Sequence, residues 1–327
     1  MATTSVLPSS ERPQRPARPP DPALFQEAWA HAETRPALLG AAGCLALLAL
    51  IFWPSLRHFA YVWATDANYS HGFLVPLLSL YFAREAARRD PTPLCGGVGT
   101  GVTLLILALA GRLATILVPV PFVGDVAFLL GLAGVCALMA GTNALRRYGF
   151  ALAFLVFMIP LPIALYTMIA SPLQILVSRI AAAILNGLGL PVLCEGTMIT
   201  LPGEVRMFVA EACSGMRQLT GFLALTTAVA YLTPRPSWFR GVLVASAIPI
   251  ALTANVARVT LTGWIMSHDP RYASGTYHTL EGLLMMGFGL ALLRAECWAL
   301  DRLSILPSTL RGEGPGVRGP HAPSLPS

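Results

Sequence analysis

Long apolar runs separated by short polar segments dominate the pattern of this chain of 327 residues. Several of the runs reach the roughly 20 residues that an α-helix needs to cross the hydrocarbon core of a bilayer. The pattern therefore predicts an all-α polytopic membrane protein with about eight transmembrane helices. We expect them at about 36–54, 72–83, 98–118, 122–142, 148–168, 217–232, 241–265 and 280–298.

Two segments depart from this pattern. Residues 171–192 are apolar but contain Arg179 and Asn186, so we expect a helix that lies partly in the interface or packs as a re-entrant piece. Residues 194–210 alternate between apolar and polar positions and are rich in β-branched residues, on both sides of a Leu-Pro-Gly turn. This composition predicts a small extracytoplasmic hairpin in front of the next helix.

The two ends of the chain differ from its middle. Residues 1–35 are polar and Pro-rich, and residues 301–327 are rich in Pro, Gly and Ser, which is typical of disordered tails. We therefore expect a cytoplasmic tail (1–35), a transmembrane domain (36–300) and a second, disordered cytoplasmic tail (301–327) with no fused soluble domain. The first apolar run starts too late and is too long for a cleaved signal peptide.

Composition narrows the chemistry. The chain is 55% hydrophobic and 12% charged, about half the charged fraction of soluble domains. All 22 basic residues are arginines, which excludes a Ser-Lys dyad or a lysine Schiff base. The six cysteines show no CxxC or Cys/His ligand spacing, so we expect neither a zinc site nor any other metal or cofactor.

The arginines also predict an orientation. With a cytoplasmic N-terminus, 14 arginines fall in inner segments, 5 in outer segments and 3 within helices, as the positive-inside rule requires. This bias predicts a multi-pass protein of the cell (inner) membrane with both termini in the cytoplasm. Because the arginines are scattered along loops, no nucleic-acid partner is expected. Three polar segments then share the outer face: 66–72, 194–216 and 266–278.

Arg258 is the most costly of the charged positions. It lies in the predicted helix 241–265, roughly 10 Å below the outer end at about 1.5 Å per residue. An arginine at such depth is rare and usually functional. Asn255, Arg258 and Thr262 recur at helical spacing and so line one face. The structural alternative is an arginine that pairs with a buried carboxylate such as Glu211.

A second cluster stands where an apolar run begins, in "EACSGMRQLTGFLAL" at 211–225. A cysteine at the start of a helix is stabilised as a thiolate by backbone amides and the helix dipole. The arginine four residues later would lower its pKa further, and the glutamate could orient a partner or cap the helix. The residues concerned are Glu211, Cys213, Ser214 and Arg217. A disulfide between Cys194 and Cys213 is the alternative reading.

A thiolate that attacks an amide needs a proton shuttle, and histidine suits this role near neutral pH. His278 precedes the last predicted helix, on the same face as Cys213, with Glu281 one turn further on. His71 and His268 compete with it. His71 is the stronger rival because "YSHG", which begins at Tyr69, also faces outward.

Together, "DANYSHGFLVP" (66–76), "EACSGMRQL" (211–219), "NVAR" (255–258) and "YHTLEG" (277–282) resemble the exosortase/archaeosortase family of membrane cysteine transpeptidases over roughly residues 40–298. The resemblance implies Cys213 as nucleophile, His278 as acid and base, and Arg258 as stabiliser of the oxyanion or the substrate. It implies supporting or substrate-binding roles for Glu211, Ser214, Arg217, Asn255, Glu281, Tyr69 and His71.

The resemblance also implies a substrate class and a reaction. The substrates would be exported proteins that end in a short motif, a transmembrane helix and a basic cluster, of the PEP-CTERM type. The enzyme would cut this sorting signal through a thioester and pass the acyl group to an amine or to another acceptor in the envelope, such as a glycan or lipid.

Two other functions stay open. A transferase for lipid-linked glycan or phosphate could hold phosphate with Arg206, Arg217 and Arg258, although no acidic metal cluster accompanies them. A transporter could use Arg258 as an anion site, although no inverted repeat is visible in the hydropathy. Neither function requires the thiol of Cys213.

Overall fold

The computed structural model of the chain describes residues 35–91, 98–209, 215–269 and 276–305, with side chains for all of these except 35, 37, 276–283 and 303–305. Most of the predicted cytoplasmic tails therefore lie outside the described residues. The described part is mainly helical. Its α-helices are α1 (Arg35–Ile51), α2 (Trp53–Thr65), α3 (Leu74–Arg89), α4 (Val98–Leu117), α5 (Pro121–Ala140), α6 (Thr142–Phe154), α7 (Ile163–Gly187), α8 (Met216–Leu232), α9 (Ser237–Ala245), α10 (Ala247–His268) and α11 (Thr276–Ile305).

Four helical stretches in the described part are long and apolar enough to cross a membrane. They are α4, α5, α7 and the combined stretch Ser237–His268 of α9 and α10. The pair α1 and α2, which is bent by 72°, would make a fifth. The chain is therefore a helical, multi-pass membrane protein, and the predicted count of eight spans is not confirmed by length and composition.

The helix predicted at 148–168 is wrong. α6 ends at Phe154, a single 3₁₀ turn follows at Leu155–Met158, and α7 begins only at Ile163. Pro160 and Pro162 explain the break, because a proline removes a backbone donor and pushes the residue before it out of the helical region. Ile159, which precedes Pro160, is extended, with φ −80° and ψ 123°.

The interfacial or re-entrant piece predicted at 171–192 is wrong, because most of these residues belong to the long helix α7. It continues for 25 residues through Pro172. Arg179 is exposed on its surface. The side chain of Asn186, in the last turn of the helix, holds the chain that follows: its Oδ1 accepts a hydrogen bond from the Val192 amide (2.9 Å) and its Nδ2 donates to the Val192 carbonyl (3.1 Å).

The segment predicted as a hairpin forms a three-stranded antiparallel sheet in the order β1 (Leu193–Glu195), β2 (Met198–Leu201) and β3 (Val205–Phe208). The predicted Leu-Pro-Gly turn, at Pro202–Glu204, joins β2 to β3, and a further turn at Gly196, whose φ is +64°, adds β1 on the other side of β2. One face of the sheet, with Ile199, Leu201 and Met207, is buried against α7 and α10.

α7 and α10 run side by side in the same direction. Asn255 and Val177 line one crevice, and a Cβ at Gly263 would lie 2.8 Å from Cδ1 of Leu185. From the first contact to the second, α7 advances by eight residues, from Val177 to Leu185. α10 also advances by eight, from Asn255 to Gly263, so the two helices are parallel. Gly215, which directly precedes α8, lines the same crevice as Asn255. The start of α8 is thus level with the middle of α10.

Candidate functional site

The polar face of α10 is buried. Asn255 is 1% exposed and Arg258 is 4% exposed. Thr262, the third member of the predicted face, donates its hydroxyl to the Arg258 carbonyl (2.9 Å). Because α10 continues to His268, Arg258 lies about 15 Å from that end at 1.5 Å per residue, deeper than the sequence predicted. An arginine enclosed at this depth is energetically costly.

Gly215 brings the backbone before α8 against this face. Its φ is +78°, in the left-handed region that glycine adopts at little steric cost. A Cβ at this position would lie only 2.9 Å from Nδ2 of Asn255. The conformation of Gly215 and the buried amide of Asn255 therefore fix where α8 begins. Met216 and Arg217 follow in its first turn, Met216 buried and Arg217 partly buried.

Several predicted site residues fall outside what the structure describes. Glu211, Cys213 and Ser214 lie outside the described residues. The backbone of α11 includes positions 278 and 281, but the side chains of His278 and Glu281 are outside the described set. The structure thus brings together Gly215, Asn255 and the buried Arg258. The predicted nucleophile and base remain predictions.

The segment "DANYSHG" packs near the start of α8. Ala67–Phe73 forms a 3₁₀ helix, and Asp66 caps it by accepting a hydrogen bond from the Asn68 amide (2.8 Å). Tyr69 is buried, and its hydroxyl accepts a hydrogen bond from the Leu161 amide (3.0 Å). Asn68 Nδ2 donates to the hydroxyl of Tyr166 (3.4 Å).

Tyr166 connects this segment to α8. Its ring belongs to the same buried cluster as Met216, which directly follows Gly215. The early polar segment and the segment after Cys213 are therefore neighbours in space, although almost 150 residues separate Tyr69 from Met216 in the sequence.

The imidazole of His71 is held in a structural bond. Its Nε2 lies 3.1 Å from the carbonyl oxygen of Phe157. A carbonyl can only accept, so Nε2 carries the hydrogen and donates it. Burial lowers the pKa of His71, which keeps the ring neutral near pH 7. This bond occupies Nε2, so His71 could act as a base only through Nδ1.

The alternative of a disulfide between Cys194 and Cys213 is not supported. Cys194 is a free thiol on β1. Its Sγ lies 3.7 Å from the carbonyl oxygen of Gly196, within reach of a weak hydrogen bond. Among the described residues no cluster of three or more His, Cys, Asp or Glu side chains could hold a metal ion.

One polar pair was missed by the sequence reasoning. Asp125 of α5 is fully buried, and its Oδ2 lies 2.9 Å from Nδ1 of His58 on α2. The pair lines a pocket with Arg112, whose Nε donates to the Ile51 carbonyl at the bend between α1 and α2 (3.1 Å). The available signal was Asp125 itself, the one acidic residue in the apolar run 121–140.

Comparison with known proteins identifies one relationship. A family model described as a transmembrane exosortase matches residues 63–295. No curated protein and no solved structure matches the chain. The match includes the 3₁₀ segment with Tyr69, the start of α8 and the buried face of α10. His58 lies before it.

Proposed function

Because the chain belongs to the transmembrane exosortase family, we propose that it cleaves the C-terminal sorting signals of exported proteins as a membrane-embedded cysteine transpeptidase. Membership of the family implies a multi-pass membrane enzyme that acts in protein sorting. The finer assignment of substrate, nucleophile and mechanism rests on the residues around α8 and α10.

The buried Arg258 is the observation that carries the proposal. A guanidinium in the middle of an apolar helix is expensive to maintain, and such residues are by default functional. It lies one helical turn beyond Asn255, and Asn255 contacts Gly215. Two peptide units separate Gly215 from Cys213, so their Cα atoms are at most about 7.6 Å apart. This limit supports a role for Cys213 beside the polar face of α10.

This arrangement supports an acyl-transfer mechanism. The thiolate of Cys213, favoured by the start of α8 and by Arg217, attacks the scissile carbonyl, and Arg258 stabilises the oxyanion that forms. The C–N bond breaks, the departing amine takes a proton from His278, and a thioester remains on Cys213. His278 then accepts a proton from the acceptor nucleophile, whose attack on the thioester releases the product and restores the thiolate.

The remaining residues take supporting roles in the proposal. Glu211 and Glu281 orient the charged side chains of the proposed site or balance their charge. Ser214 and Asn255 contribute polar groups around the thiol. Tyr69 and His71 hold the 3₁₀ segment beside α8 through their bonds to Leu161 and Phe157.

The proposed substrates are exported proteins of the PEP-CTERM type, which end in a short motif, a transmembrane helix and a basic cluster. The enzyme would lie in the cell (inner) membrane with its active site on the extracytoplasmic side. The acceptor would be an amine, glycan or lipid of the envelope.

The substitution Cys213→Ala tests the proposal. We expect uncut substrate to accumulate in the membrane, detected by immunoblot of a tagged protein that carries such a sorting signal. Cys213→Ser should be nearly as inactive, because a hydroxyl ionises far less readily than a thiol. Cys194→Ala is the matched control and should process normally. Normal processing by Cys213→Ala would refute the assignment and favour a glycan or phosphate transferase or a transporter.

A further inference from the structure

The outer edge of β3 presents backbone groups that the sheet does not use. The Val209 amide donates to the Thr197 carbonyl (2.9 Å), which identifies that pair as hydrogen-bonded. Hydrogen-bonded pairs alternate along an antiparallel ladder, so Met207 bonds to β2, whereas Arg206 and Phe208 belong to the non-bonded pairs. The N–H and C=O groups of Arg206 and Phe208 therefore point away from β2.

This edge is uncovered in the described part of the chain. β3 is the last strand of the sheet, and no backbone hydrogen bond from another described segment reaches Arg206 or Phe208. Both residues are exposed, and Phe208 retains 65% of its surface. Natural proteins usually protect an open edge, because it can pair with any extended chain.

The position of the edge relative to the proposed nucleophile suggests what occupies it. Met207 of β3 is level with Gly263 of α10, whereas Gly215, two residues after Cys213 in the sequence, is level with Asn255. The chain therefore descends along α10 from β3 to the start of α8. A substrate with a C-terminal membrane helix also runs, from N to C, towards the membrane as it approaches its cleavage site. The two chains therefore have the same direction.

We propose that the substrate segment before the scissile bond docks on the outer edge of β3 as a fourth, parallel strand. This proposal rests on the proposed function, and it assigns recognition to backbone groups. Strand addition of this kind gives affinity through main-chain hydrogen bonds.

The geometry also sets the spacing between docking and cleavage. A Cβ at Gly263 would lie 3.4 Å from Cε of Met207, so β3 is level with Gly263. Gly263 is eight residues beyond Asn255, which is about 12 Å along α10. An extended chain covers this distance in about four residues at 3.3 Å each. The docked residue nearest to the scissile bond should therefore lie about four residues before that bond.

A proline on the edge tests the proposal on the enzyme side. Phe208→Pro removes the outward N–H and places the ring on the free edge, where proline is tolerated within a sheet. We expect kcat/KM for a tagged sorting-signal substrate to fall by about ten-fold or more, as for the loss of a backbone hydrogen bond in a docking site. Phe208→Ala keeps the N–H and should stay within about three-fold of the original enzyme, which excludes a side-chain effect. Thermal unfolding in detergent confirms that both variants are folded.

A backbone scan of the substrate provides the second test. Replacing single amide bonds by esters removes one N–H at a time without changing the side chains. Only alternate residues of a docked strand direct their N–H towards β3, so cleavage should drop at every second position. The pattern should start about four residues before the scissile bond.

Several outcomes would overturn strand docking. One is a substrate scan without a period of two, and another is normal cleavage by Phe208→Pro. If the edge instead pairs with a second copy of the chain, Phe208→Pro will change the oligomeric state measured by light scattering and leave cleavage intact. In each case loss of cleavage by Cys213→Ala would still support the proposed function, whereas normal cleavage by Cys213→Ala would remove the proposed function itself.

Discussion

At the scale of single residues, Gly215 decides how the chain enters α8. Its left-handed conformation turns the backbone, and its missing side chain leaves room for the amide of Asn255. No other residue type meets both conditions, since an L-residue in this conformation is strained and a Cβ would overlap Asn255. The position of whatever precedes α8 therefore depends on this one glycine.

We expect Gly215→Ala to abolish most processing. The left-handed backbone costs an L-residue about 1–2 kcal/mol, and relief of the overlap must move either α8 or Asn255. Gly221→Ala in the same helix is the matched control, because a Cβ there meets nothing within 4 Å. It should match the original protein in an immunoblot of substrate cleavage. Equal activity of both variants would show that the entry to α8 tolerates movement.

Arg258 is the second decisive residue. Arg258→Lys retains the charge but loses the planar fork of five donors, so we expect a large loss of processing at a normal protein level. Substrate cleavage and membrane abundance, measured on the same samples, check this. Near-full activity with lysine would assign Arg258 a structural role, as in the alternative of a pair with a buried carboxylate.

At the scale of elements, helix packing depends on small residues. α4 and α5 form a tight antiparallel hairpin in which a Cβ at Gly101 would lie 2.6 Å from the Cα of Leu138. Glycine at such a position allows two helix backbones to approach closely, the usual device of helix contacts in membranes.

We expect Gly101→Ala to destabilise this hairpin by about 1–3 kcal/mol, because the obstructing atom is backbone and cannot rotate away. Gly99→Ala, two residues earlier in α4, meets nothing within 4 Å and should be neutral or slightly stabilising. Thermal unfolding in detergent separates the two. The same melting temperature for both variants would show that α4 and α5 can move apart at Gly101 without a loss of stability.

The elements also show which parts of the fold a single sequence can predict. α4, α5 and α8 agree closely with the predicted runs because each is a continuous apolar stretch bounded by polar or proline residues. The break at Pro160 and Pro162 was missed because hydropathy does not change there, although the prolines themselves were visible. The first strand of the sheet was missed because its return beside β2 depends on the left-handed Gly196.

The candidate site was predictable to a similar extent. The burial of Asn255 and Arg258 on one face follows from helical spacing. The contact of Asn255 with Gly215 does not, because it depends on how α7, α8 and α10 pack. Likewise, Asp125 could be flagged as a charge in an apolar run, but its partner His58 is 67 positions away in the sequence and could not be paired with it.

At the scale of the whole molecule, the parallel course of α7 and α10 places their C-terminal ends on one side, together with the sheet. The distribution of arginines predicts that this side faces away from the cytoplasm. The orientation is an independent requirement of the proposed function, because exported substrates are cut after their translocation.

We expect tags inserted at 233–236 and after residue 310 to be cytoplasmic, and a tag at 270–275 to be external. Accessibility to a membrane-impermeant reagent in intact cells checks all three positions. A cytoplasmic 270–275 segment would place the start of α11 and the ends of α7 and α10 away from exported proteins, and the proposed mechanism would then be excluded.

The depth of the entry to α8 has a consequence for the lifetime of the acyl intermediate. Asn255 lies 13 residues before His268, the last residue of α10, which is about 20 Å along the helix. Water has little access to α10 at this level, since Asn255 and Arg258 are almost completely buried. Exclusion of water protects reactive intermediates from side reactions. A thioester formed beside this buried face would then persist until a stronger nucleophile than water reaches it, and the burial would itself favour transfer to an amine.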